Sequence, residues 1–514
     1  MAESIQQACI QVFCSPTVWM VIVLSAVYGV FVGAIPGLTA TMAVALFVPL
    51  AYWLEPIPAL AAVVTMEACA IFAGDIPNTL LRIPGTPASA AYADDAYAFT
   101  RRGEPNRPLG VCLVFSVVGG LFGAAVLMIV GRQLASVATW FSVAEYFWLY
   151  LLGLSCAVVV SRGSTLHATL GLLLGLLFST VGLSAVHAQA RFTFGRPELF
   201  QGINFIPAMI GLFGVSEVLR NMLSLDQAPA GASAASPKGP AGGRLGLGRF
   251  IADSLVGVAG PALALLMRRK RHFLRSGAIG SLVGMLPGAG ADIGAWVSLA
   301  ASKRFSAKAE THEGGALEGI GDASASNSAA LAATWIPALV FGIPGDSITA
   351  IVIGVLLMKN VRPGPEIFEK QPVLVYSIYL VFVLANLVLI PIGLAAIKLG
   401  GYVVRAPRRV LLPAILLFCV VGAYAINASY FDVWVMLGMG VLGFLLERWQ
   451  IPLGPVVLGI ILGGPLEERF IQTLTGSKGS LTAFVDRPIS AVLAVVCIGL
   501  WVSALLWGRL RRAK

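Results

Sequence analysis

The sequence predicts an all-α polytopic membrane protein of about ten to fourteen transmembrane helices, some broken or re-entrant, arranged as two inverted-topology repeats. Three observations predict it. Of 514 residues, 58% are hydrophobic and only 12% charged, against about 45–50% and about 25% in soluble domains. Apolar runs of spanning or near-spanning length recur along the chain, and a set of Pro-Gly motifs occurs twice in the same order.

Residues 1–16 lack a basic segment and a small-residue cleavage site, so the first apolar run reads as a retained helix rather than a signal peptide. Runs follow near 17–35, 38–54, 57–73, 109–130, 140–160, 165–186 and 203–223. Residues 226–248 are almost wholly Ala, Gly, Pro and Ser, the composition of a flexible linker. The expected division is therefore 1–225 as an N-terminal transmembrane repeat, 226–248 as linker and 249–514 as a C-terminal transmembrane repeat. In the second half, runs lie near 251–267, 276–302, 329–341, 346–358, 373–399, 410–427, 431–446, 452–463 and 489–508.

The net charge of +10 comes from 35 Lys and Arg against 25 Asp and Glu. Basic cytoplasmic loops account for such an excess in a membrane protein, so no nucleic-acid partner is read from it. The first 81 residues contain neither Lys nor Arg, whereas Arg268-Arg269-Lys270-Arg271 and the tail Arg509, Arg511, Arg512 and Lys514 are strongly basic. That places the 268–275 turn and the C-terminus in the cytoplasm and the N-terminus outside. Seven cysteines without a CxxC pair and four scattered histidines suggest neither a disulfide framework nor a metal site.

Ile76-Pro77 followed by Ile83-Pro84-Gly85 recurs at an offset of 260 as Ile336-Pro337 followed by Ile343-Pro344-Gly345. Arg102 and Pro105 recur as Arg362 and Pro365 at the same offset. Upstream, Gly29, Gly33 and Pro36-Gly37 recur as Gly280, Gly284 and Pro287-Gly288 at an offset of 251, the difference falling in an insertion around 303–315. The segments preceding the first Pro-Gly of each copy differ sharply in charge, so equivalent ends face opposite sides. This is the sequence sign of inverted repeats, the architecture of secondary transporters with substrate near the midplane.

Proline interrupts a helix and frees backbone groups, which at membrane depth are tolerated only in protein or beside a water-filled cavity. A helix starting at such a break points its positive end at the cavity and favours an anion. The break residues Gly37, Leu38, Gly85, Gly288, Gly290 and Gly345 and the polar Thr39, Asn78, Thr79, Thr86, Asn327, Ser328 and Ser347 are therefore candidates for binding an anion. Each single Ser or Thr has the plainer role of satisfying broken backbone or cross-helix contacts. Arg82 reads either as a bidentate carboxylate clamp or as a side chain that snorkels or pairs with Asp75. Asp292 and Asp346, with Thr41 and Thr349, are candidates for the coupling ion, sodium or proton; capping a half-helix is the alternative for the two carboxylates. Glu67, Asp322 and the pair Asp94-Asp95 are further ionisable groups in these segments. Asp94-Asp95 also admits a magnesium-dependent lipid-modifying enzyme, but further carboxylates one or two turns away are missing. No P-loop, HExxH or nucleophile elbow is present, so neither an ATP-driven pump nor an enzyme is expected.

The string Gly33-Ala-Ile-Pro-Gly-Leu-Thr-Ala-Thr-Met42, with Ile83-Pro-Gly-Thr-Pro87, Leu286-Pro-Gly-Ala-Gly290, Gly342-Ile-Pro-Gly-Asp-Ser347, Gly315-Ala-Leu-Glu-Gly319 and Pro363-Gly-Pro365, closely resembles the large membrane subunit of tripartite tricarboxylate transporters, the TctA type. The resemblance runs from about residue 20 to about residue 500. It implies a secondary carrier of carboxylate anions in a bacterial cytoplasmic (inner) membrane, driven by a sodium or proton gradient. It further implies two partners, a small four-helix membrane subunit (TctB type) and a periplasmic solute-binding protein (TctC type) that delivers substrate, and no cofactor. Two departures stand out: Ala323-Ser324 replaces the commoner Pro-Glu, and Arg82 replaces a small polar residue such as Asn. The substrate is therefore not carried over from a citrate carrier. A channel or exporter needing no binding protein is the alternative, but it leaves the paired breaks unexplained.

Overall fold

The computed structural model describes residues 2–161, 164–184, 189–223, 255–288, 290–305, 314–403 and 408–512. The expected linker 226–248 lies outside the described residues, as do residues 306–313 of the insertion. Among the described residues the chain is helical almost throughout, with one two-residue antiparallel pairing of Gly182–Leu183 and Ala190–Arg191. Eight helices are long and apolar enough to cross a membrane, in keeping with an all-α polytopic membrane protein.

The first copy contains α1 (Ala2–Phe13), α2 (Pro16–Ala34), α3 (Ala40–Trp53), α4 (Pro56–Ala73), α5 (Asp75–Leu81), α6 (Ala93–Arg101), α7 (Asn106–Ala138), α8 (Val143–Val160), α9 (Thr165–Ser179) and α10 (Phe205–Leu223). The second contains α11 (Gly260–Arg268), α12 (Lys270–Gly284), α13 (Gly290–Phe305), α14 (Gly314–Phe341), α15 (Ser347–Met358), α16 (Pro372–Val403), α17 (Arg408–Asn427), α18 (Tyr430–Arg448), α19 (Leu453–Gly476) and α20 (Pro488–Arg512). Proline stands at the start of α2 and α4, where its missing N–H has no partner to lose.

The two copies repeat one packing scheme. Gly29 and Gly33 of α2 lie on the backbone of Met66 and Ala70 in α4; Gly280 and Gly284 of α12 lie on Ser326 and Ala330 in α14. Each contact recurs at the offsets read from the sequence. Small residues spaced by four let helix backbones approach closely, the means of association where lipid removes a hydrophobic driving force. The long helices are exchanged: Gly119 and Gly123 of α7 pack on Ala325 and Ala329 of α14, while Gly393 and Gly400 of α16 face Phe72 and Ile76 of the α4–α5 region.

The equivalent helices α4 and α14 cross antiparallel. Glu67 meets Trp335, late in α14. Asp75, further along the first copy, instead reaches Ser324, earlier in α14, through Tyr92: the Tyr92 hydroxyl donates to Asp75 at 2.6 Å and Ser324 donates to Tyr92 at 3.4 Å. Since α2 runs with α4 and α12 runs with α14, the hairpins α2–α3 and α12–α13 enter from opposite ends of the bundle. The repeats are thus inverted, as the charge asymmetry predicts.

Helix α14 is long enough to span but is not among the eight, because Asp322, Ser324, Ser326, Asn327 and Ser328 dilute its apolar character. It is buried from Leu317 to Phe341, so protein rather than lipid surrounds these groups. The peripheral helices do the reverse: Leu417, Phe418, Trp434 and Val495 are exposed apolar side chains. A second internal match emerges from the packing: Ile206-Pro207 with Gly211 in α10 corresponds to Gly454-Pro455 with Gly459 in α19, and Gly211 and Gly459 lie against α18 and α9 respectively.

Candidate functional site

All four Pro-Gly motifs interrupt helices. At 82–86 and 342–346 the chain leaves its helix in a left-handed residue, Arg82 (φ 59°) or Gly342 (φ 69°). It then doubles back along that helix. The N–H groups of Arg82 and Ile83 donate to the carbonyls of Asn78 and Pro77, and those of Gly342 and Ile343 donate to Ala338 and Pro337. The tips then press on the mid-helix: Gly85 donates its N–H to the Gly74 carbonyl at 3.2 Å, and Gly345 sits on Thr334, the position equivalent to Gly74. Reciprocal side-chain bonds start the next helical turn in both copies. Thr86 and Ser89 exchange theirs at 3.1 Å, while Asp346 accepts from the Thr349 N–H at 2.8 Å and the Thr349 hydroxyl accepts from the Asp346 N–H at 2.9 Å. These are capping boxes with shortened partners.

Three of the four breaks meet. The Gly290 N–H donates to the Gly345 carbonyl at 3.1 Å, joining the starts of α13 and α15. Asp292, in the first turn of α13, accepts from the Ala88 N–H at 3.0 Å, and the Trp296 indole donates to the Pro87 carbonyl at 3.1 Å, so the first copy's tip is tied to the second copy. Between them lies a pocket of about 260 Å³ bounded by Pro87, Gly288, Gly290, Asp292, Asp346 and Ser347, with Ala157 of α8, Ser161 just after it, and Pro452 with the start of α19 closing the other side. Among the described residues no cationic side chain lines it. Its polar character comes from two helix N-termini, two hydroxyls and two carboxylates already accepting N–H bonds.

The remaining break, Pro36-Gly37, is elsewhere. Asn221 of α10 donates its amide to the Gly37 carbonyl at 2.8 Å. Leu38 lines a separate apolar groove with Tyr28, Phe47 and Phe418. Thr39 caps α3, accepting from the Met42 N–H at 3.2 Å, and Thr41 is half-buried one turn on. None of the four borders the pocket.

Arg82 does not pair with Asp75. Its guanidinium pairs with Asp94 at 2.5 Å, with side chains 61% and 75% exposed, and Asp75 is held by Tyr92 instead. The return of the chain after Arg82 brings α6, not the preceding helix, to its side chain. Asn78 and Thr79 are buried behind the tip, where Asn78 donates to the Ser89 carbonyl at 3.0 Å and the Thr79 carbonyl accepts from Thr100 at 2.6 Å. Their own side-chain oxygens, like Asn327 Oδ1, have no partner. Ser328 is buried beside Asn327. Among the described residues no cluster of three or more metal-ligating side chains occurs. Sequence reasoning passed over Trp296, Ser161 and the start of α19; the Pro-Gly-rich Pro452-Leu-Gly-Pro455 was the available signal.

Residues 19–458 match the description "Tripartite tricarboxylate transporter TctA family". The chain belongs to this family. A protein of Agrobacterium vitis described as "Uncharacterized 52.8 kDa protein in TAR-I ttuC' 3'region" is 33% identical over 478 residues, 93% of this chain and 91% of that protein. A second from the same organism, in the TAR-II ttuC' 3'region, is 35% identical over 222 residues, 43% of this chain and 92% of that protein. No solved structure matches the chain. This TctA-family chain is therefore a multi-pass membrane component of tricarboxylate transport, and the tripartite character of the family implies partner subunits.

Proposed function

We propose that this chain is the large permease subunit of an ion-gradient-driven uptake system for di- or tricarboxylate anions, with the pocket between the break tips as its substrate site. The observation that carries the proposal is the convergence of the α13 and α15 N-termini with the tip of the other copy around one small polar cavity. Each helix N-terminus carries about half a positive charge. They hold a carboxylate without a buried cationic side chain, and Ser161 and Ser347 supply hydroxyl donors. Asp292 and Asp346 fix the tips; because they add negative charge, anion binding is favoured when a coupling cation, sodium or proton, enters with the substrate.

The ends of the bundle differ in charge. Arg101, Arg102, Arg107, Arg268, Arg269, Lys270, Lys303 and Arg304 gather where α7, α12 and α14 begin, whereas Lys359, Arg362 and Lys370 at the other end are interspersed with Glu3, Glu55 and Glu366. By the positive-inside rule the first end is cytoplasmic in a bacterial inner membrane. The pocket lies where α8 ends and α19 begins, toward that end, so this is the cytoplasm-facing arrangement. In the opposite state the binding protein delivers substrate from outside, the small four-helix subunit completes the membrane assembly, and rocking of one copy against the other exchanges the states.

Labelled carboxylate uptake into vesicles holding this chain with its small subunit and binding protein tests the reading, with sodium and proton gradients imposed separately. Accumulation that requires the binding protein and one gradient is expected. Passive conduction without either would sink the carrier mechanism.

A further inference from the structure

We propose that Glu67 is the group that binds the coupling proton and links its passage to the opening and closing of the interface between the two copies. The inference rests on the carrier reading above and deepens it, naming the ion and the residue.

Glu67 lies mid-way along α4 and is completely buried. Its Oε2 accepts one long bond, 3.4 Å, from the Trp335 indole, and its Oε1 has no partner. No Lys, Arg or His forms an ion pair with it among the described residues. An ionised carboxylate moved from water to such a place costs several kcal/mol even after relaxation, whereas a neutral carboxylic acid needs only a donor and an acceptor. The buried arrangement is that of the protonated acid.

The groups on the elements packed around it, among the described residues, form their own contacts or lie elsewhere on their helices. Asp346, the cap of α15, is a second acid and offers Glu67 no positive charge. Of the other elements packed on α4, α2 and α3 offer only Tyr28 and Tyr52, and α5 offers Asp75, bonded to Tyr92. Helix α7 carries Arg107, paired to Glu104, with Cys112 and Arg132, and α16 carries Tyr376, Tyr379 and Lys398. Glu318 and Asp322 on α14 are paired to Arg269 and Arg275.

The internal repeat shows what the carboxyl adds. At an offset of 260 the residue equivalent to Glu67 is Asn327, in the same register of α14, buried and also holding an unpartnered oxygen. One copy has a titratable group where the other has a neutral one of similar shape. Packing alone is served by either. Trp335, which bonds Glu67, is adjacent to Thr334, on which the Gly345 tip rests. Glu67 thus bonds the turn of α14 on which the second copy's tip rests. In the arrangement seen here the carboxyl is sealed and holds H⁺ as RCOOH; when the interface opens further and cytoplasmic water reaches it, it ionises to RCOO⁻ and releases that proton, no other bond changing.

The test uses vesicles holding the full assembly and labelled succinate, malate and citrate. Two readings are taken for wild type, Glu67→Gln and Glu67→Asp: exchange of internal for external carboxylate with no gradient, and accumulation under an imposed proton gradient in sodium-free buffer. The wild type should accumulate, with alkalinisation of the external medium when substrate is added. Glu67→Gln should exchange within about threefold of wild type and accumulate at least about tenfold less, the factor corresponding to 1.4 kcal/mol; Glu67→Asp should recover part of the accumulation. Accumulation by Glu67→Gln equal to wild type, or wild-type accumulation that requires sodium and moves no protons, overturns the assignment. Should Glu67→Gln lose exchange as well, the wild-type proton flux decides: substrate entry without it is equally fatal. Lack of exchange in the wild type itself would overturn the carrier reading, and the assignment with it.

Discussion

The Pro36-Gly37 and Pro287-Gly288 tips begin alike and end in different company. Both end a helix that packs through two glycines on its neighbour, and both turn through a positive φ, 90° at Gly37 and 75° at Gly288. Gly288 then faces the backbone of Ala157 and borders the pocket, whereas Gly37 faces only the side chain of Asn221. The same local device is spent once on the site and once on the scaffold side of the first copy. In a protein of inverted repeats this asymmetry is what one conformation of the pair looks like, since two states exchanged by symmetry require the copies to differ in each.

The largest effect expected breaks the comparison at its rigid end. Gly288→Val imposes a side chain on a left-handed residue, at ~1–2 kcal/mol, and drives it into Ala157 backbone that cannot give way. Uptake at matched membrane abundance should fall by more than about tenfold; uptake retained within twofold would show that the tip is not part of the site. Gly37→Ala meets only the Asn221 side chain and should lose less, about threefold in uptake, from the same ~1–2 kcal/mol backbone term. Adding Asn221→Ala should recover part of that loss, and a double variant no better than the single would argue against the contact.

A smaller difference concerns the caps. Asp346→Ala removes the acceptor for Thr349 and should lower the stability of the detergent-purified protein by ~1 kcal/mol, whereas Asp346→Asn retains a capping oxygen and should lose a few tenths. Equal melting shifts for the two would mean the charge, not the cap, holds α15. The smallest effect belongs to Arg82. Its exposed pair with Asp94 is worth ~0–1 kcal/mol, and its left-handed backbone is the one that the second copy fills with Gly342. Arg82→Gly should leave uptake within about twofold and stability unchanged within ~1 kcal/mol. A collapse of carboxylate uptake would restore Arg82 as a substrate ligand.

Arg82 also shows where sequence reading stopped. Its position beside a break inside apolar sequence suggested a carboxylate clamp, a snorkelling side chain or a pair with Asp75 two turns back. The chain instead doubles back after residue 82, and the resulting loop carries Arg82 to the surface beside α6. Asp346 illustrates the complementary case: its capping alternative was readable, because a cap is satisfied within three residues of chain. That Asp292 would accept its N–H from Ala88 of the other copy was not readable, since nothing near either residue encodes the approach of the two tips. Glu67 was visible as a costly intramembrane carboxyl, but its lack of a cation is a property of helices brought together from across the chain.

The amino-acid sequence by itself determined the membrane class, the interruption of four helices and the existence of two copies with opposed charge. Those properties follow from bulk transfer energies and from Pro and Gly backbone chemistry, which act within a turn or two of the residue concerned. Only the tertiary structure decided that three breaks meet while Pro36-Gly37 stands apart, that Arg82 faces Asp94 and that Glu67 is sealed against Trp335. Contacts of that kind depend on which small-residue stripes let which helices approach, and those stripes fit several partners until the whole bundle is packed.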